Sequence, residues 1–482
     1  MKEKWIQFAN RIKNSIKPAL ILSGLFLFGI SSIIRANFKY IDDYGRVLQG
    51  YKGWDDFSRY FSFGISAFIH ADNYLTDISP LPQVLACILL GIAGVIVINA
   101  LKVQEEKISV WQLVAVLPLG LSPYFLECMS YKYDSVYMAL SVLAAVLPLA
   151  FAEIGTVTIG LASLLGTLLM LTTYQASSGI FPMLVVLWTA KSINMGEKFS
   201  AVIKKTGMAA GGYILGMIID KMFIIREVDE YVTSSVAPVN EIITQFLNYY
   251  NQVASDFKTW WIFLIAIIVL MYLVMFVMGS KTNSVNSSFI ALFSVVFCLL
   301  LAFGSYPILQ RASYYPRAMY GFGVFIALIS VAAVSYNKSY PARFFAVAMS
   351  WTFLVFSFSY GNALYEQGKY TDIRVEAVVN DLIDLDIMNS GEPVKVQLMG
   401  GIGKSPVIRN IPQENYTILD RLVPKTFDEG WKWSEFYFYN YFGLNITKAT
   451  SLEKLELPVL KKTPYYTIKG EGNNLLIELR GE

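Results

Sequence analysis

Residues 81–101 read LPQVLACILLGIAGVIVINAL, with no Asp, Glu, Lys or Arg anywhere in the run. A helix needs about 20 apolar residues to cross the ~30 Å hydrocarbon core of a bilayer. This stretch is therefore a membrane span, and it sets the solvent in which the rest of the chain is read. Working outward, similar runs lie near 18–36, 109–126, 136–153, 156–174, 178–194, 207–225, 259–279, 289–307, 319–336 and 344–361. The predicted fold class is a polytopic α-helical membrane protein with about eleven transmembrane helices. Composition agrees: 55% of the 482 residues are hydrophobic and only 16% are charged, against about 25% charged in a soluble domain.

Net charge is +3 and no basic arm is present, which excludes a nucleic-acid partner. Cys87 and Cys298 fall in apolar runs and Cys128 in an expected loop, so no disulfide framework follows. A single histidine, His70, rules out a histidine-built metal site. The start, Met1-Lys2-Glu3-Lys4-Trp5 with Arg11, Lys13 and Lys17, reads as a signal anchor.

Basic residues orient the spans. Lys102, Lys107, Lys191, Lys198, Lys204, Lys205, Lys281, Lys338 and Arg343 share the parity of the basic N-terminus, which belongs in the cytoplasm. The opposite side receives Asp42, Asp43, Asp55, Asp56, Asp72, Asp77, Glu127, Asp134, Glu227, Asp229 and Glu230. Between Asp56 and Ala71 the chain is too short to span and too apolar for free water, which predicts an interfacial helix near 57–71. An odd number of spans then places the tail on the outer, periplasmic side. The expected division is a transmembrane domain at 1–361 and a small C-terminal α/β domain at 362–482. Helical spacing recurs over 370–386, and Val394 to Leu398, Tyr465 to Ile468 and Leu475 to Leu479 pattern as strands.

Candidate chemistry gathers at the outer rim. Asp42-Asp43, with Arg46 three residues on, suits a general base with a partner carboxylate held ionised by the guanidinium; the same residues also suit a helix N-cap. Glu127 to Ser135 crowds Glu127, Tyr131, Lys132, Tyr133 and Asp134 into one expected short loop. Arg311 and Arg317 stand outside against the positive-inside bias, as phosphate forks or as snorkelling anchors. Gly400-Gly401-Ile402-Gly403-Lys404-Ser405 ends like a phosphate loop, but Leu398 stands where the first glycine is needed, so it reads as a turn. The sequon at Asn445-Ile446-Thr447 carries no weight without the cell type.

Tyr40-Ile41-Asp42-Asp43-Tyr44-Gly45-Arg46, then Trp54, then Asp77-Ile78-Ser79-Pro80-Leu81-Pro82-Gln83, then Glu127 through Asp134 occur in that order. This pattern resembles the phage and bacterial O-antigen glucosyltransferases of the serotype-conversion type, within the polytopic C-type glycosyltransferases. The resemblance is strongest over about residues 38–140. It implies transfer of glucose, or another hexose, from a polyprenyl-phosphate (undecaprenyl phosphate) carrier to a lipid-linked or growing O-antigen or other surface polysaccharide. It implies a multi-pass protein of the bacterial inner membrane, an inverting reaction on the periplasmic side, and reaction-centre roles for Asp42 and Asp43 without saying which takes the proton.

Elementary chemistry runs the same way. Nucleotide sugars stay in the cytoplasm, so an outer site needs a lipid-linked donor. Its phosphate leaving group needs a cation, from Arg311 or Arg317 with Lys132 as a lesser candidate. Asp42 or Asp43 would be the base, and Glu127 and Asp134 would grip sugar hydroxyls or orient it. Magnesium or manganese between carboxylates would suit hard oxygen ligands. Trp54 is a candidate sugar platform, as are Trp431, Trp433, Tyr437 and Tyr439, which core packing explains as well. The competing readings are a flippase or transporter of lipid-linked sugars and a polysaccharide polymerase.

Overall fold

Hydrocarbon offers a peptide group no hydrogen-bond partner, so apolar runs close their own bonds as helices. The computed structural model describes residues 2–103, 107–226, 235–336, 340–385, 388, 391–411, 417–428 and 431–481. Glu227, Asp229, Glu230 and Lys338 lie outside them. Among the described residues, seven helices are long and apolar enough to cross a membrane. They are Leu81–Leu101, Gln175–Asn194, Phe199–Ile224, Thr259–Met278, Ser284–Leu301, Pro316–Val334 and Tyr340–Ile383. The pair Val110–Leu121 and Pro123–Ser130, bent by 62°, makes an eighth if it is one crossing.

The count falls short of the expected eleven because the other runs are helical but short or interrupted. The run near 136–153 is Ser135–Val146 followed by a 3-10 segment, Leu147–Phe151, where Pro148 lacks the N–H an α-helix needs. The run near 156–174 is a 16-residue helix, Thr156–Leu171. The first run divides between Lys2–Gly29, whose first half is basic, and Ser31–Ala36. The bend before Pro123 also corrects the loop expected at Glu127–Ser135. Glu127 and Cys128 are buried on helix Pro123–Ser130, and the connection shrinks to Tyr131–Asp134.

Helix contacts use small and polar residues, as association within lipid requires. A Cβ on Gly212 would lie 2.2 Å from the Gly160 carbonyl oxygen, so Thr156–Leu171 and Phe199–Ile219 touch backbone to backbone. Asn194 donates Nδ2 to the Phe276 carbonyl at 2.8 Å and accepts Ser287 Oγ at 2.8 Å. At one end of the bundle Arg11 pairs with Glu153, and Lys191 Nζ donates to the Ala100 carbonyl at 2.8 Å. Asp42, Asp134 and Arg317 lie around one cavity at the other end.

The segment expected to be interfacial holds a short apolar helix, Tyr60–Ile69, with Phe61, Phe63 and Phe68 exposed. His70 ends it, its ring stacked on Tyr133 at 5.9 Å. Helix Tyr340–Ile383 continues unbroken through residue 361 into the C-terminal region. There Val375, Val378, Val379 and Leu382 pack on a five-stranded sheet. Its strands are β1 (Val394–Gly400), β2 (Ile446–Lys448), β3 (Val459–Lys462), β4 (Tyr466–Glu471) and β5 (Asn474–Leu479), in the order β2-β1-β5-β4-β3. β1 runs parallel to β2 and β5; β4 is antiparallel to β5 and β3. Lys404 is buried against Asp420, and residues 401–405 form an irregular connection between β1 and the short helix Pro406–Arg409, in place of the expected turn. Tyr44, in the stretch after the first helices, inserts into the core of this region, edge-on to Tyr437 at 5.1 Å.

Candidate active site

The acidic doublet sits at the start of a short helix, Asp43–Gln49. Ile41, just before it, has φ +44°, a conformation that is an outlier for a β-branched side chain. Such strain concentrates at functional sites. The two carboxylates part company here. Asp42 lines a cavity of about 540 Å³ together with Ile41, Asp56, Arg59, Asp134 and Arg317. Asp43 is 1% exposed and turned inward. Its Oδ2 accepts the backbone N–H of Tyr40 at 2.9 Å and of Lys132 at 3.1 Å, tying the first loop to the Tyr131–Asp134 connection.

Burial pushes the Asp43 carboxyl up to about 7, against the opposing pull of those two N–H groups, Arg46 and Lys132. Between the ordinary carboxylate value and about 7, the folded protein holds a proton that the unfolded chain has released. This contribution to stability is therefore full in acid, declines as pH rises to about 7, and is flat above. Thermal unfolding of detergent-purified protein from acid to neutral pH should show that decline in the parent and lose it in Asp43→Asn. Parallel pH profiles would contradict the inward placement of Asp43.

Arg46 pulls the Asp43 carboxyl down through space, but its ion pair is not with the doublet. It is buried and paired with Asp134, because the Tyr131–Asp134 connection folds back over the helix. Trp54, expected to stack on a sugar, is 2% exposed; its Nε1 donates to Asp134 Oδ1 at 2.5 Å and its ring packs edge-on to Tyr137 at 4.6 Å. The Arg46 guanidinium lies 4.6 Å from the Trp54 ring centroid. Asp134 thus reaches the cavity wall already neutralised on its buried side. Removing only one partner of such a pair costs about 3–5 kcal/mol. Arg46→Ala should therefore lower thermal stability by that order, and Arg46→Ala/Asp134→Ala by less than the two single losses added together; a double loss equal to that sum would mean the pair is uncoupled.

Glu127 is likewise engaged. It is 2% exposed, and accepts the Arg317 backbone N–H at 2.5 Å and Nη1 at 2.7 Å. Tyr174 donates its hydroxyl to the Arg317 carbonyl at 3.3 Å. Glu127 therefore fixes Arg317 and has no place among the residues lining the cavity. Lys132 turns away as well, its Nζ 3.1 Å from Asp77, which also accepts the Ser79 backbone N–H at 2.9 Å. That contact pulls the Lys132 side chain into a separate recess with Gln83 and Ser130.

A second cavity, about 1000 Å³, adjoins the first and shares Phe57, Arg59, Tyr174 and Arg317 with it. Leu171, Ile214, Met217, Ile218 and Ile225 give it an apolar wall, and Arg311 and Arg421 stand on its lining. Arg421, from the C-terminal region, pairs with Asp256 and donates to the Tyr314 carbonyl, bracing the loop that carries Arg311 and Arg317. The arrangement is a polar chamber with three carboxylates, Asp42, Asp56 and Asp134, opening past two guanidinium groups into a greasy groove. Among the described residues no group of three or more His, Cys, Asp or Glu side chains is placed to hold a metal ion.

Sequence reasoning placed Asp42, Asp134, Arg311 and Arg317 where they line these cavities. It missed Asp56, Arg59, Tyr174 and Arg421 as lining residues. Arg59 carried a usable signal, a lone guanidinium within an apolar interfacial stretch; the others carried none.

Residues 31–328 match the family described as Glucosyl transferase GtrII. The chain belongs to that family. The matched part holds the doublet, Arg59, Asp134 and Arg317, so this GtrII chain is a glucosyltransferase by family and a membrane protein by its apolar helices. It is also 23% identical over 465 residues to an uncharacterized 55.3 kDa protein in the gtrB 5′ region of Salmonella phage P22, covering 86% of this chain and 88% of that one. No solved structure matches it.

Proposed function

We propose that the protein moves a glucosyl residue from a polyprenyl-phosphate carrier to O-antigen or another cell-surface polysaccharide, with inversion, on the periplasmic side of the bacterial inner membrane. The observation that carries this reading is the junction of the two cavities at Arg59 and Arg317. A prenyl chain suits the apolar groove, its phosphate suits the guanidinium pair, and the sugar then falls in the chamber beside Asp42.

In the proposed step, Asp42 accepts the proton of the acceptor hydroxyl as that oxygen bonds to the sugar's anomeric carbon. The bond from that carbon to the phosphate oxygen breaks, and its electron pair leaves with the polyprenyl phosphate. Arg59 and Arg317 neutralise the charge that develops there, and Arg311 adds to the field along the groove. A single displacement with base and leaving group on opposite sides of the sugar inverts the anomeric centre. Asp56 and Asp134 are placed to bind sugar hydroxyls.

The corresponding topology is eleven crossings, with the short and interrupted helices completing the count. The N-terminus is then cytoplasmic, 1–361 forms the membrane domain and 362–482 the periplasmic one. The clustering of Arg11, Lys191 and Lys281 at the end opposite the chamber supports this orientation.

The test supplies purified protein with polyprenyl-phosphate glucose or with a nucleotide glucose, and an oligosaccharide acceptor. Transfer from the lipid donor alone, giving a product of inverted anomeric configuration, is expected. Transfer from the nucleotide sugar, lipid scrambling without bond formation, or transfer of whole repeat units would overturn the reading.

A further inference from the structure

Asp42 is held by a residue almost at the other end of the chain. Trp433 lies in the first turn of helix Lys432–Tyr441, in the C-terminal region. Its indole Nε1 donates to Asp42 Oδ1 at 3.2 Å. The other carboxylate oxygen has no hydrogen-bond partner among the described residues. The indole is fixed by two contacts. It stacks on Tyr51, centroids 5.2 Å apart and planes 18° from parallel. Its six-membered ring also presses on the helix of the doublet at Gly45, where a Cβ would lie 2.4 Å from Cε3 and Cζ3. No residue larger than glycine fits there with the ring in place.

We infer that Trp433 is a positioning residue for transfer, and that the C-terminal region completes the active site by aiming Asp42. The inference rests on Asp42 being the base. A carboxylate that faces an open cavity rotates freely about its own side-chain bonds unless something holds it. A base must instead present one oxygen to the acceptor hydroxyl, and a misplacement of about 1 Å can cost on the order of a hundredfold in rate. A donor fixed by two contacts, holding Oδ1, leaves the second oxygen for the hydroxyl.

The full-length protein tests this with two substitutions that reach the same bond by different routes. Trp433→Phe keeps an aromatic ring for Tyr51 and Gly45 but loses the N–H. Gly45→Ala leaves Trp433 chemically intact and displaces its ring. Both should lower kcat by about tenfold to a hundredfold, the scale of losing a hydrogen bond to a charged group, with the KM for polyprenyl-phosphate glucose within about twofold of the parent. Thermal unfolding of Trp433→Phe should match the parent, separating aim from packing. On an Asp42→Asn background, where only residual rate remains, Trp433→Phe should cause no further loss. Parent-like kcat in Trp433→Phe, or an additional full loss on that background, would overturn the positioning role. A parent-like rate in Asp42→Asn alone is a different failure, that of the base assignment.

Discussion

Asp42→Asn is expected to lower kcat for glucosyl transfer by about 10²–10⁴-fold, the range that general-base catalysis supplies, with no change in membrane insertion or thermal stability. The expectation comes from placement. Asp42 lines the chamber and carries no buried ion pair, so an amide there costs the fold little. Asp43→Asn should behave in the opposite way, because Asp43 Oδ2 is occupied by two backbone N–H groups inside the protein. An asparagine there can still accept those bonds through its amide oxygen, so transfer persists while the pH dependence of stability changes. Radiolabelled donor and a fixed acceptor measure the first effect, and unfolding curves the second. Full transfer by Asp42→Asn together with its loss in Asp43→Asn would reverse the assignment of the base.

Arg317→Ala is expected to lower transfer by about 10²–10³-fold, as loss of a preorganised charge at a leaving group does. It should also lower stability by about 3–5 kcal/mol, because Glu127 is then left buried without its counter-charge. The double substitution Arg317→Ala/Glu127→Gln separates the two effects. It removes the stranded charge, so unfolding should return toward the parent, while transfer stays low because no cation meets the phosphate. Recovery of transfer in the double variant would show that Arg317 acts on the fold alone. Arg317→Lys tests the geometry: a single ammonium cannot grip Glu127 and phosphate as a fork does, and an intermediate rate is expected.

These predictions mark where linear reading stops. Arg46 stands three residues from Asp43, and proximity along the chain suggests a pair. The structure gives Arg46 to Asp134, since a helix start points successive side chains in different directions and the later connection fills the space. Glu127 reads as a loop residue because polar neighbours follow it, yet Pro123 restarts a helix that carries it into the protein. Trp54 reads as an aromatic at the rim and is core. The strand-like alternation at Val394 to Leu398 does become β1, because one face of that sheet is buried under helix Tyr340–Ile383.

The chain's own order of residues settles the solvent, the helical class, the family pattern and the concentration of carboxylates and arginines at one rim. All of these follow from local hydrophobicity and charge, which act on each segment wherever it ends up. Partnership is decided only in three dimensions. Asp42 faces the cavity while its neighbour Asp43 holds backbone, Arg317 is gripped by Glu127, and Trp433 reaches Asp42 from a region 391 residues away. Hydrogen bonds and ion pairs act over a few ångströms, and which groups come within that range depends on how the helices and the C-terminal sheet pack against one another.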